Sequence, residues 1–186
     1  MHATTGTRDG AALIIGAGDA TGGAIARRFA REGLIACVTR RTADKLAPLV
    51  DEITQAGGRA HGFASDARQE EEVVKLVDDI ERDIAPIEVM VFNIGANVPC
   101  SILDETARKY FKIWEMACFS GFLVGREVAR RMVARGRGTI IYTGATAGLR
   151  GARARARDRA GRRRHAARLR AGHGRAPGQL PRAGGR

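Results

Sequence analysis

Between Ala11 and Thr143 the chain alternates short β-type apolar runs with stretches of helical periodicity, and that alternation leaves few folds open. Ala12-Leu13-Ile14-Ile15 is too short for a helix and ends in glycines; Thr21 to Glu32 follows with Ala24, Ile25 and Phe29 at helical spacing, and Gly33 closes it. Leu34 to Thr39 reads as a second buried strand. Thr42 is placed to cap a helix whose Leu46, Leu49, Val50 and Ile53 form one face up to Gly57-Gly58; Pro48 near its first turns removes a hydrogen bond at little cost. Arg59 to Ser65 fits a third strand, Gln69 to Ile84 a third helix with Val73, Val74, Leu76, Val77 and Ile80 inward, and Ile87 to Asn93 a fourth strand. A long helical segment runs from Glu105 to Ala134, and Gly138 leads into a fifth strand over Thr139 to Thr143. The order βαβαβαβαβ calls for an α/β fold with a parallel, doubly wound sheet and right-handed crossovers.

After Gly151 the pattern stops. Residues 152–186 hold 12 of the chain's 32 Lys and Arg but only one acid, Asp158, so residues 1–151 are left with 20 bases against 19 acids. With two leucines and no Val, Ile, Phe, Tyr or Trp, this Arg/Ala/Gly-rich tail lacks the apolar surface to fold alone and is expected to be disordered. A genuine Arg-rich extension would bind nucleic acid or acidic partners through counterion release. An out-of-frame reading of a GC-rich gene would give the same composition, because Arg, Ala, Gly and Pro are what GC-rich codons specify. The switch falls inside a motif, which favours the second reading; nucleic acid is a partner only if the tail is real.

No apolar stretch approaches the roughly 20 residues that span a bilayer, and MHATTGTRDG lacks the apolar run of a signal peptide, so a cytoplasmic protein without membrane contact is expected. Cys37, Cys100 and Cys118 are odd in number and far apart, with no CxxC and no neighbouring His pair. They read as reduced thiols in or near the core, with no metal site.

Gly16-Ala17-Gly18-Asp19-Ala20-Thr21-Gly22-Gly23 joins the first strand to the first helix. A turn without Cβ atoms lets backbone N–H groups and a positive helix N-terminus approach a pyrophosphate. Asp66-Ala67 follows the third strand, Phe92-Asn93-Ile94-Gly95 the fourth, and Gly138-Thr139-Ile140-Ile141-Tyr142 leads to Ala147-Gly148-Leu149-Arg150-Gly151. With these motifs in this order, residues 11 to 151 resemble the short-chain dehydrogenase/reductase family of nicotinamide-dependent oxidoreductases. The resemblance implies an incomplete NAD(P)-binding, Rossmann-like domain over residues 1–151, carbonyl reduction or alcohol oxidation by hydride transfer, a small-molecule substrate and a homo-oligomer in the intact form. It makes Gly16, Gly18, Asp19, Ala20, Thr21 and Gly22 the glycine motif, with Ala20 in place of a glycine. It gives Asp66 and Ala67 to the adenine, and Asn93 and Gly95 to the wall of the cofactor groove.

Arg40 and Arg41 end the second strand, where an acid would accept from the adenosine ribose and repel a 2′-phosphate; guanidinium groups pair with that phosphate, so NADP is favoured over NAD. The catalytic half departs from the family. Ala145 takes the place of the serine and Cys118 that of the helix asparagine, as in a subgroup with GATA-type sequence at this loop. Thr146 beside Ala145 offers a hydroxyl and is the one catalytic candidate. A Tyr and a Lys four residues apart belong about a dozen residues further on, yet the last Tyr is Tyr142 and the last Lys is Lys112. The expectation is a chain with little or no activity, or a non-catalytic NADP-binding module. The family's following helix and strands are not recognisable, which would leave the fifth strand an open edge and strip cover from Trp114, Phe119, Phe122 and Leu123.

Overall fold

Residues 9–95 and 100–145 are described by the computed structural model. Their strands are β1 (Ala11–Ile15), β2 (Ile35–Arg40), β3 (Arg59–Ala64), β4 (Ile87–Phe92) and β5 (Thr139–Tyr142). Their helices are α1 (Thr21–Arg31), α2 (Ala47–Gln55), α3 (Glu70–Asp83), α4 (Ala107–Trp114) and α5 (Ser120–Arg135). Every element lies in the first of two compact units, Met1–Thr143; Gly144–Arg186 makes the second.

All strand pairs are parallel, in the order β3-β2-β1-β4-β5. The alternation along β1 explains the layering. Ala11, Leu13 and Ile15 face one core with Val73, Leu76, Val77 and Ile80 of α3 and Leu123, Val124 and Val128 of α5. Ala12 and Ile14 face the other with Ala26 and Ala30 of α1 and Leu49 and Ile53 of α2. A strand covered on both faces has no polar side, which is why AALII carries no alternation. On the first face α3 and α5 are also joined by ion pairs, Arg126–Glu70, Arg131–Asp78 and Arg135–Glu81, the last at 2.6 Å.

The inward face of α1 differs from the periodicity. Gly22, Gly23, Ala26 and Ala30 are buried, Ala24 is exposed, and Ile25 and Phe29 pack only at the flank. Small residues four apart let the helix lie close on the sheet, and the bulkier side chains fill its margins. Thr42 likewise caps no α-helix: it precedes a 3₁₀ turn, Ala43–Lys45, and makes no capping hydrogen bond. Because α2 begins at Ala47, Pro48 stands in its first turn, where the missing N–H has no intrahelical acceptor to lose.

The long helical segment is one path with a wider turn in the middle. Thr106 accepts the Lys109 N–H at 3.2 Å to start α4, a π-type turn occupies Glu115–Phe119, and α5 ends at Gly136 in the left-handed region, φ +70°. Phe111, Trp114, Phe119 and Phe122 follow one another along it with ring centroids 5.7, 5.6 and 6.4 Å apart. Trp114 and Phe122 are exposed and Phe119 half-buried, but Leu123 is buried against the sheet, contrary to the expectation that it loses cover. Among the described residues β5 pairs only with β4, leaving its other side an edge. Cys37 lies in the core, whereas Cys100 and Cys118 are exposed, so only one thiol sits where all three were expected.

Candidate functional site

The sheet changes direction at its centre: β1 is followed on one side by β2 and β3 and on the other by β4 and β5. At such a switch the connections leave the carboxyl ends in opposite directions and open a crevice. The glycine turn lies there. Gly16 takes φ +83°, a conformation few side-chain-bearing residues adopt, and a Cβ would meet the Asn93 carbonyl oxygen at 3.0 Å. The N–H groups of Gly16 and Ala17 both donate to the Thr39 carbonyl, at 3.2 and 3.1 Å, which ties the turn to the end of β2. Gly23 donates to the Gly18 carbonyl at 2.7 Å as α1 begins.

Gly22 is closed in by backbone: a Cβ would lie 2.8 Å from the Ala17 Cα and 3.1 Å from Asn93 Nδ2. A Cβ at Gly18, by contrast, would meet nothing within 4 Å, so this glycine borders open space. Ala20 is the N-cap at φ −94°, a value that does not require glycine, and offers no side-chain cap; the first turn of α1, which opens with Thr21, holds no acid. No side chain of the first turn therefore offsets the positive end of the helix, and the nearest acid, Asp19, precedes the N-cap. Asn93 follows β4 and braces the turn, its Nδ2 donating to the Gly16 carbonyl at 3.2 Å.

Beside the turn is a cavity of about 180 Å³. Ile15 and Gly16 enter it from β1, Thr39, Arg40 and Arg41 from the end of β2, and Ser65, Asp66, Ala67 and Arg68 from the end of β3; Ile94 and Met116 complete the wall. Asp66 is gripped by Arg68, whose Nε and Nη2 reach its carboxylate at 2.9 and 2.5 Å and whose backbone N–H adds a bond at 3.1 Å. The Arg68 hydrogen bonds hold the Asp66 carboxyl below its ordinary range despite partial burial, and Arg41 adds to the effect. Ser65 Oγ is buried with no hydrogen-bond partner among the described residues. Arg68 also lies 3.8 Å from Glu115 in the π-type turn.

Five of the residues singled out from the sequence, Gly16, Arg40, Arg41, Asp66 and Ala67, thus line one cavity. Gly18, Asp19, Ala20, Thr21 and Gly22 lie on the adjoining turn and helix start, and Asn93 touches the cavity's edge through Gly16. Gly95 does not line it, and Cys118 is exposed in the π-type turn. Ala145 falls in the second unit, and Thr146 lies outside the described residues. Ser65, Arg68 and Met116 were missed. Adjacency to Asp66 was an available signal for the first two, whereas Met116 reaches the wall from a helical turn more than twenty residues past Asn93.

The profile of the short chain dehydrogenase family matches residues 10–157. The chain belongs to that family. The family match ends six residues past Gly151, close to the change in composition. Among solved relatives, a short-chain dehydrogenase from Rhodopseudomonas palustris is 50% identical with a TM-score of 0.70, covering 77% of this chain and 68% of its own. An actinorhodin polyketide ketoreductase solved with NADPH is 29% identical with a TM-score of 0.73, over 77% of this chain and 56% of its own. A 7α-hydroxysteroid dehydrogenase solved with NADH and 7-oxo glycochenodeoxycholic acid is 29% identical with a TM-score of 0.72, over 78% and 57%. The chain spans about half the length of the curated relatives it matches, for example 51% of the Escherichia coli 7α-hydroxysteroid dehydrogenase, which is 32% identical over 130 residues. The short-chain dehydrogenase fold is thereby assigned, with its parallel sheet and flanking helices. No helix among the described residues is long and apolar enough to cross a membrane.

Proposed function

We propose that this short-chain dehydrogenase chain binds NADP(H) in the cleft at the ends of β1, β2 and β3, and that in the intact family form the site serves reduction of a carbonyl or oxidation of an alcohol. Arg40 and Arg41 beside Asp66 in one cavity carry the reading, since two guanidinium groups suit a ribose 2′-phosphate where an acid would repel it. The glycine turn fits a pyrophosphate: Gly18 borders open space, and the start of α1 has neither a side-chain cap nor an acid. Asp66, fixed by Arg68, accepts from an adenine amino group, and Asn93 keeps the turn in place. Bound NADP(H) supplies or accepts the hydride. The chain's own residues do less than the family's full set, because no Tyr follows Tyr142 and no Lys follows Lys112 to move the substrate proton.

Binding without efficient turnover is the expected behaviour. Fluorescence titration of the full chain with NADPH and NADH tests it; NADPH should bind at least tenfold more tightly, and equal or tighter NADH binding refutes the arginine assignment. Measurable NADPH oxidation with a panel of small ketones and aldehydes would refute the loss of turnover.

A further inference from the structure

One guanidinium in the wall of the cleft serves two acids from distant parts of the chain. Arg68, in the connection between β3 and α3, divides its nitrogens between them. Its Nε and Nη2 take the two Asp66 oxygens at 2.9 and 2.5 Å, and its Nη1 lies 3.8 Å from Glu115 Oε2. Asp66 is held through its backbone as well: its N–H donates to Glu72 Oε2 at 2.6 Å and its carbonyl accepts the Gln69 N–H at 2.9 Å. Glu115 opens the π-type turn, whose next residue, Met116, stands in the cavity wall with its carbonyl accepting from Ser120 Oγ at 2.6 Å. The end of β3 and the π-type turn thus meet at Arg68.

We propose that Arg68 and Glu115 are positioning residues for the base of the bound nucleotide: Arg68 presents the Asp66 carboxylate in one orientation, and Glu115 ties the π-type turn, with Met116, to the same guanidinium. The proposal rests on the nucleotide reading above. A two-point pair between guanidinium and carboxylate is planar and stops the carboxylate from rotating. Each carboxylate oxygen has lone pairs to spare for a donor on a ligand. An acceptor fixed in advance favours adenine, which presents an amino group, over hypoxanthine, which presents a carbonyl oxygen that the carboxylate repels. Without Arg68 the carboxylate must be ordered as the nucleotide binds, and that cost falls on the amino contact. Glu115 acts through Arg68 and more weakly, since the pair is long and both side chains are about one-third exposed.

NADPH and its hypoxanthine analogue differ only at the amino edge of the base, so the ratio of their dissociation constants cancels effects common to the rest of the nucleotide. Fluorescence titration of the full chain should show a preference for NADPH of about tenfold or more, the size expected for a hydrogen bond to a charged acceptor. Arg68→Ala should shrink that preference about three- to tenfold, and Arg68→Lys, which keeps the charge without the two-point grip, should recover less than half of the loss. Glu115→Ala leaves the Asp66–Arg68 bonds in place, should shrink the preference about two- to threefold, and carries the test if Arg68→Ala fails to fold. A merely structural role would weaken both nucleotides equally. A preference unchanged in Arg68→Ala or in Glu115→Ala, or fully restored in Arg68→Lys, overturns the proposal. A wild-type chain that binds neither nucleotide, or both alike, overturns the nucleotide reading instead, so the two failures are distinguishable.

Discussion

Replacing Gly22 by alanine tests whether the glycine turn owes its shape to contact with the sheet or only to backbone freedom. Gly22 has no positive φ, so an argument from conformational freedom alone predicts that Gly22→Ala stabilises the chain, since alanine in a helix is favoured by about 1 kcal/mol. The packing predicts the reverse. A Cβ at this position would run into the Gly16 carbonyl oxygen and lie 2.8 Å from the Ala17 Cα, backbone atoms of two residues whose N–H groups donate to the Thr39 carbonyl. To make room, α1 must move off the sheet, and forced overpacking of a buried site costs about 1–3 kcal/mol. The move also stretches the Asn93 bond to Gly16, worth about 1 kcal/mol. The net expectation is a loss of about 1–3 kcal/mol, large against a domain stability of about 5–15 kcal/mol. Urea unfolding of the full chain reads the stability, and NADPH titration should show at least tenfold weaker binding. A variant as stable as the wild type, with the same affinity, would refute the reasoning.

The Arg68→Ala substitution should release Asp66 from its lowered pKa. The Asp66–Arg68 contribution to stability is complete above the unfolded-state value near 4 and is lost as pH falls through the lower folded value, so the stabilities of wild type and variant should differ at pH 7, begin to approach one another near pH 4 and converge only below the folded value. Burial pushes the Cys37 thiol up to about 12, so a thiol reagent on the native chain should modify Cys100 and Cys118 and reach Cys37 only on denaturation. Leu123→Ala should cost about 2–5 kcal/mol by opening a cavity, whereas Phe122→Ala, on the exposed side of α5, should cost no more than about 1 kcal/mol; calorimetric melting of the pair checks the order. Tyr142→Phe removes a hydroxyl that donates to the Gly121 carbonyl at 3.2 Å, so it should lower stability by about 1 kcal/mol and leave NADPH affinity unchanged.

The sheet was legible because parallel strands buried on both faces must be continuous apolar runs, and AALII between Gly10 and Gly16 and the IACV that opens β2 are such runs. The fit was poorer where tertiary packing decides. Periodicity marks large apolar residues, so it pointed to Ala24, Ile25 and Phe29 in α1, while close approach to the sheet selected Gly22, Ala26 and Ala30. Leu123 and Phe122 are neighbours of equal apolar character, and only the turn of the helix over the sheet tells which is buried. In the candidate site, residues that act through backbone geometry or sit at strand ends could be placed from motif order: Gly16, Arg40, Arg41 and Asp66 all reach one cavity. Arg68 was not found because its role is a contact with Asp66 two positions earlier in the connection between β3 and α3, where no helix or strand periodicity operates and only adjacency to Asp66 points to it. Met116 depends on a π-type turn, whose position follows from packing and not from a sequence signal.

The division of labour along the chain follows from the sheet order. Among the described residues, every one that lines the cavity comes from the ends of β1, β2 and β3, from Ile94 after β4, or from the π-type turn, and none from β5. The proposed nucleotide site therefore draws on no described residue of β5. Tyr142 does not fill that place. Its ring packs against Phe92 at 5.9 Å, its hydroxyl is turned to Gly121, and burial raises its pKa with no cation among the described residues to lower it. A tyrosine that exchanges a proton with substrate near neutral pH needs the opposite shift. The last tyrosine of the sequence is thus a packing residue of the β4–β5–α5 layer.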